Sequence, residues 1–379
     1  MGRPEAKLVR DIAIHILNRL GYNGSSDHED VVGLHPRIAE VMSLLKMRLD
    51  SDDHPLVVGI CGMGGIGKTA IATAVYHQIH SQFVGSCYLA NVRETYEKHG
   101  LESLQKSLFS QLHQASDSDI KIRNIDLPGT IRNVVHNKRV LVVLDDVDHL
   151  NQLDALVRTL DWFGPGSRII ITTRNSHLLA RYRPGSHVYN VEGLNDEEAF
   201  KLFCCKAFRN NRPKQGYEGL SNSVVRYAGG VPLALRVLGS FLLDKSIIEW
   251  QSALDKLRQW PNADIQGMLK LSYDGLDHEK REIFLDIACF FKWMSKDYAI
   301  EILHACGFHA DIGIRVLEDK ALVTIKGNII DMHDLIQEMG KHIVNEESPK
   351  EPGRRSRLCK YEDIYHTLTK KTVSASYLI

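Results

Sequence analysis

The sequence predicts an α/β fold: a parallel sheet with helices on both faces, followed by a helical bundle and then a unit of helices and one β-hairpin. Three observations carry this. Short apolar runs rich in β-branched residues recur at 56–60, 87–90, 140–144, 169–172 and 188–191, with helical patterns between them. They lack polar alternation, as strands buried on both faces do. The strand runs stop after residue 193, and a hairpin pattern returns only at 321–332, with Gly327 in its turn.

Composition sets the bounds. The chain has 379 residues, enough for two or three compact units. Its apolar fraction of 44% is that of a globular protein, not of a disordered or fibrous one. Lys plus Arg and Asp plus Glu both number 47, so bulk charge draws the chain toward neither nucleic acid nor anionic membrane. The seven cysteines are scattered without a Cys-x-x-Cys, as reduced core residues are. No apolar leader opens the chain. The most apolar stretch, 233–243, is interrupted by Arg236 and is too short to span a bilayer. Met1-Gly2 invites acylation, but Ala6 stands where that signal needs Ser or Thr. The expectation is a cytoplasmic protein, with a nuclear pool admitted and no membrane partner.

Taken in order, Leu8, Ile12, Ile16 and Leu20 share one face of a helix over 5–20, and the polar stretch 23–30 reads as a linker. Residues 1–30 are thus an N-terminal linker helix. Val31-Val32-Gly33 is short and apolar, and an amphipathic helix follows to about residue 49. The α/β unit takes 31–192. The helical unit takes 193–275. Asn195 is placed to cap its first helix, with Glu198 three residues on, and Pro232 sits at a first helical position after a Gly229-Gly230 turn. Residues 276–371 combine helices, the hairpin and a helix over 334–344, the pattern of a winged helix, and 372–379 form a tail. No repeat of 20 to 50 residues is visible.

One motif carries clear chemistry. Gly62-Met63-Gly64-Gly65-Ile66-Gly67-Lys68-Thr69 fits Gly-x-x-x-x-Gly-Lys-Thr, with a strand before it and a helix after it. Such a loop turns its N–H groups inward on phosphate, and the helix adds its positive end. Gly62, Gly64, Gly65, Ile66, Gly67, Lys68, Thr69 and Ala70 are therefore assigned to the phosphates of ATP or ADP. Lys68 reaches the β- and γ-phosphates and Thr69 ligates Mg²⁺. Asp145 and Asp146 end an apolar strand at the carboxyl edge of the sheet, where ligands bind in such folds. Asp145 is the Mg²⁺ carboxylate. Asp146 polarises an attacking water, making it and Lys68 the catalytic residues. Arg174 ends another buried strand at the same edge and is placed on the terminal phosphate.

Other patterns carry less. From the residues alone, His333 reads as a satisfied structural histidine and Pro232 as a helix-start proline. The 18 histidines form no His-Glu-x-x-His, and His77 and His80 share a helix face without a third ligand. No Gly-x-Ser-x-Gly is present. The basic stretch 353–357 reads as a solvated or intramolecular contact.

In order along the chain, these motifs resemble the NB-ARC domain of plant disease-resistance receptors of the TIR-linked class, over roughly residues 30–366. The P-loop, the segment 87–94 and the strand leading to Asp148 fit that pattern, with Asp148 rather than Trp marking the TIR-linked class. So do Thr172-Thr173-Arg174, residues 230–235 with Val231 in place of Leu, residues 284–291, and Met332-His333-Asp334. The resemblance implies a P-loop domain, a four-helix ARC domain and a winged helix. It implies that Val31 and Val32 hold the adenine edge, that Pro232 packs near the adenine, and that His333 contacts the β-phosphate of ADP. It also implies a switch, ADP-bound when inactive and ATP-bound when active, reset by slow hydrolysis at most. The implied partners are further copies of the chain or receptors bearing TIR and leucine-rich-repeat domains. Neither of those domains is read in this sequence, which fits either a fragment or a shortened member. Two alternatives compete: a P-loop ATPase with steady turnover, and a nucleic-acid-binding regulator that uses its winged helix. Against the last, residues 276–371 hold 15 Lys plus Arg and 17 Asp plus Glu.

Overall fold

The computed structural model describes residues 32–45, 54–113, 127–136, 138–182, 186–259 and 262–369. The expected helix at 5–20, Val31 and the tail lie outside the described residues. By contacts between Cα atoms, the described residues fall into two compact units. One runs up to Gly62 and continues over Ile66–Glu192; the other holds Met63–Gly65 and everything from Gly193 onward.

The first unit alternates helix and strand. Its elements are α1 (Leu34–Leu44), β1 (Leu56–Cys61), α2 (Lys68–Ile79), β2 (Gly85–Leu89), α3 (Val92–Leu112), α4 (Leu127–Val135), β3 (Val140–Val147), α5 (Leu150–Leu156), β4 (Arg168–Thr173) and β5 (Ser186–Asn190). The sheet order is β2-β3-β4-β1-β5, and every neighbouring pair is parallel. The three central strands are buried almost without interruption, which is why they read as unbroken apolar runs. The edge strands differ from the expectation. β2 alternates between buried and half-buried, and no residue of β5 is buried. Each begins two residues before its apolar run, because the less covered faces of an edge strand accept Ser86, Ser186 and His187, all half-buried. The core joins Val142, Leu144, Ile169 and Ile171 of the sheet to Leu104, Leu108 and Phe109 of α3.

The second unit is helical at first, with α6 (Asp196–Ala207), α7 (Glu218–Ala228), α8 (Pro232–Leu242), α9 (Ile247–Gln259) and α10 (Ala263–Asp274). Asn195 caps α6 as expected: its side chain accepts from the Glu198 N–H, and Glu198 reaches back to the Asn195 N–H. The Trp250 ring is buried against Phe203, Phe208 and Tyr217, and its N–H donates to the Leu242 carbonyl at 2.9 Å.

Then come α11 (His278–Asp286), running into one π turn at Ile287–Phe291, α12 (Lys296–Ala305), α13 (Ala310–Asp319), the hairpin β6 (Thr324–Lys326) and β7 (Ile329–Asp331), α14 (Asp334–Glu347) and α15 (Tyr361–Thr369). The hairpin is shorter than expected. Leu322 and Val323 are buried as core rather than paired, and the turn is Gly327-Asn328, with φ of 53° and 66°. Two positive φ values match the right-handed twist of a two-residue hairpin, so Lys326 belongs to the strand. The outer edge of β7 is also engaged: Trp293 N–H donates to the Ile330 carbonyl and Ile330 N–H to that of Met294. The basic stretch is an intramolecular contact. Arg355 binds Asp363 and the Ser348 carbonyl, and Arg357 binds Asp286 and Glu282.

Candidate functional site

The site of the first unit grows from the carboxyl edge of the sheet. β1 ends at Cys61 and the chain enters the glycine-rich loop. Gly67 holds φ of 103°, open only to glycine, and from it α2 begins. No side chain caps α2 and no acid stands in its first turn, so its positive end is left to an anion.

Lys68, the first residue of α2, is 8% exposed. Its ammonium donates to the Gly62 carbonyl at 2.8 Å, drawn back along the loop. Burial, and after it the nearby Arg174, lowers its pKa to about 8, while Asp146 and Asp145 pull the other way. A buried cation under-compensated by its own acids, inside a loop of backbone N–H groups, fits a phosphate chain.

Asp145 is 1% exposed. Its Oδ1 accepts from the Thr69 hydroxyl at 2.9 Å and from the Thr172 hydroxyl at 2.7 Å. Burial raises its pKa, and the two hydroxyl bonds only partly oppose this. A desolvated carboxylate beside a threonine hydroxyl is a set of hard oxygen donors and fits a hydrated Mg²⁺. Among the described residues, no group of three or more His, Cys, Asp or Glu is arranged to hold a metal without other ligands.

Asp146 has different neighbours. The pairing of β3 with β4 slips between Leu144 and Val147, and Asp146 takes φ of 58° in that irregularity. Its N–H donates to the Thr172 hydroxyl at 2.8 Å. Arg93, in the first turn of α3, donates to Asp146 Oδ2 from Nε at 3.0 Å and places Nη2 at 2.9 Å. Arg174 Nε lies 3.6 Å from Oδ1. Burial lowers the pKa of Arg174 and Asp146 opposes it; the guanidinium stays charged.

The first unit therefore brings together Gly62, Ile66, Gly67, Lys68, Thr69, Ala70, Asp145, Asp146 and Arg174 of the expected site. Val32 is half-buried in the turn before α1. Gly64, Gly65, Pro232 and His333 belong to the second unit. There Pro232 opens α8 as expected, and the Leu233 N–H donates to the Gly65 carbonyl at 3.2 Å. His333 caps α14: Nδ1 accepts from the Leu335 N–H at 3.2 Å, and Nε2 lies 2.9 Å from the Gly229 carbonyl. A carbonyl only accepts, so Nε2 carries the proton and the ring is the neutral Nε2–H tautomer. Gly229 has φ of 57°, and a Cβ there would lie 2.6 Å from the ring, so only glycine fits beside it. Sequence reasoning missed two residues of the site. Thr172 read as the end of a strand and, like Arg93, as part of a quoted motif without a role of its own. The available signal for Arg93 was an arginine just past a strand, as for Arg174.

Residues 38–213 match the NB-ARC domain. The chain carries an NB-ARC domain over those residues. Residues 277–348 of this NB-ARC protein match the winged-helix domain of Roq1-like disease resistance proteins. Disease resistance protein RUN1 of Vitis rotundifolia is 42% identical over 365 residues, covering 96% of this chain and 27% of that protein. TMV resistance protein N of Nicotiana glutinosa is 39% identical over 380 residues, covering 98% and 32%. The chain thus spans about a quarter to a third of the length of the curated relatives it matches. Among solved structures, a Walker-type ATPase of Pyrococcus abyssi aligns with a TM-score of 0.57 over 84% of this chain and 98% of that one. At 13% identity that likeness is one of fold. The expected P-loop fold, winged helix and resemblance to TIR-class resistance receptors all stand, and binding of a nucleotide goes with them. No described helix is long and apolar enough to cross a membrane.

Proposed function

We propose that this NB-ARC chain is an adenine-nucleotide switch of plant immune signalling, at rest with ADP and active with ATP. The observation that supports it best is the constellation at the loop edge of the sheet. Lys68, Arg93 and Arg174 face Asp145 and Asp146 there, in a chain whose relatives are disease-resistance proteins. In this reading the loop from Gly62 to Ala70 cradles the phosphates, Lys68 neutralises them, and Thr69 with Asp145 holds Mg²⁺. The bound cation would add charge neutralisation at the outer phosphates. Asp146 orients water for a slow hydrolysis that resets the switch. Val31, Val32, Pro232 and His333 enter on resemblance alone. The working units are 31–192 for nucleotide, 193–275 for the ARC helices and 276–371 for the winged helix. Self-association or pairing with receptors bearing TIR and leucine-rich-repeat domains follows exchange, in the cytoplasm with a nuclear pool. Affinity that differs between two arrangements is what lets a ligand shift them.

The test is to identify the nucleotide that co-purifies, then to measure ADP and ATP binding and turnover with Mg²⁺. The expected results are bound ADP and turnover no faster than about one per minute, against about ten per second for a typical enzyme. Sustained turnover well above that would replace the switch with an ATPase. His333→Asn keeps an acceptor for capping α14 but removes the imidazole. It should weaken ADP several-fold and leave ATP nearly unchanged; equal weakening of both would end the role assigned to His333.

A further inference from the structure

The ion pairs of Asp146 lie where a terminal phosphate would compete for them. β2, β3, β4 and β1 are consecutive in the sheet. Just past their carboxyl ends, or at them, stand Arg93, Asp146, Arg174 and the glycine-rich loop, in that order. Adjacent parallel strands are about 4.8 Å apart, so the row is continuous. Asp146 fills the gap between the two guanidinium groups, giving one oxygen to Arg93 and turning the other toward Arg174. Asp148 also faces both arginines, and Glu97 Oε1 lies 3.9 Å from Arg93.

We propose that Arg93 is a second arginine for the terminal phosphate of a nucleoside triphosphate, and that Asp146 is the counter-anion which this phosphate displaces from Arg93 and Arg174. The inference rests on the nucleotide-binding reading and deepens it. A carboxylate and a phosphate offer similar planar pairs of oxygens to a guanidinium fork, but the phosphate carries more charge and a third oxygen, so it spans two arginines better. A purely structural ion pair accounts for less. Partly exposed ion pairs add little net stability, and a non-glycine residue at φ of 58° is a conformation that concentrates at functional sites. The displaced Asp146 is left able to orient water, which ties hydrolysis to the presence of a third phosphate. A diphosphate leaves the Asp146 pairs intact, so Arg93 separates ATP from ADP.

Calorimetric titration of the whole chain with ADP and with a non-hydrolysable ATP analogue, both with Mg²⁺, tests this. Arg93→Ala should weaken the triphosphate about ten- to a hundredfold, the loss of a charged hydrogen bond, and shift ADP by no more than about twofold. Arg93→Lys keeps the charge, removes the fork, and should fall between. Asp146→Asn removes the competitor and should raise the ratio of triphosphate to ADP affinity. Equal loss of both nucleotides in Arg93→Ala, or an unchanged ratio in Asp146→Asn, overturns the proposal while leaving nucleotide binding in place. A wild-type chain that binds neither nucleotide overturns both readings. If Arg93→Ala does not fold, the lysine and asparagine variants decide alone.

Discussion

Lys68→Met should weaken ADP and ATP by about a hundred- to several-thousandfold while leaving the nucleotide-free protein as stable as before, or more so. The first half follows from truncating one partner of a buried charge pair, which costs about 3–5 kcal/mol because the phosphate is left uncompensated. The second follows from the cost the ammonium carries in the empty site. Its pKa of about 8 lies below the ordinary 10.5, mainly through burial. The unfolded chain therefore binds more protons between those values, and this residue makes stability rise with pH across that window. Methionine keeps the apolar stem and removes the charge. Binding has the opposite sign. Phosphate selects protonated Lys68, so nucleotide affinity should fall as pH rises above about 8, by up to tenfold per unit, as the free protein loses its proton. Titrations at several pH values with a fluorescent ADP, alongside thermal melts, check all of this. Lys68→Met should flatten the pH profile. A variant that binds normally would remove Lys68 from the phosphate site, and one that melts well below wild type would remove the cost assigned to its buried ammonium.

What the sequence made legible was whatever depends on local pattern. Val140–Val147 and Arg168–Thr173 are visible as strands because two covered faces leave no room for polar alternation. Asn195 with Glu198 is visible because a capping box has fixed spacing. The limits of β2 and β5 were not visible, because an edge strand admits polar residues that end an apolar run. The limits of the hairpin turn were not visible, because Lys326 is as polar as a turn residue and only backbone dihedrals separate them. The candidate site divides the same way. Lys68, Thr69 and Asp145 are found from the motif and from the strand end. The hold of Arg93 on Asp146 joins positions 53 apart, and that of His333 on Gly229 joins positions 104 apart. Contacts of that kind are made by sheet order and helix packing, and no spacing rule in the sequence encodes them.

At Asp145, cation binding and the stability of the empty protein pull in opposite directions. Its carboxylate is held almost out of water, and its pKa is raised, chiefly by that burial. A raised carboxylate pKa means that the folded state favours the neutral form. The contribution is present below the unfolded value and is lost as pH rises through the folded one, above which the ionised group is a burden. Asp145→Asn removes the charge and keeps an oxygen for the hydroxyls of Thr69 and Thr172. The nucleotide-free protein should then melt no lower than wild type. Asp145→Ala leaves both hydroxyls without that acceptor, at about 1–3 kcal/mol for the buried Thr172 donor, and should melt several degrees below it. Both variants should lose the gain in nucleotide affinity that Mg²⁺ gives the wild type, so that affinities with and without Mg²⁺ converge. Melting curves and titrations with and without Mg²⁺ read the two effects separately. If Asp145→Asn melts well below wild type and keeps its Mg²⁺ dependence, the carboxylate is structural and the cation lies elsewhere. If it is as stable as wild type and blind to Mg²⁺, the strain at this strand end exists for the cation.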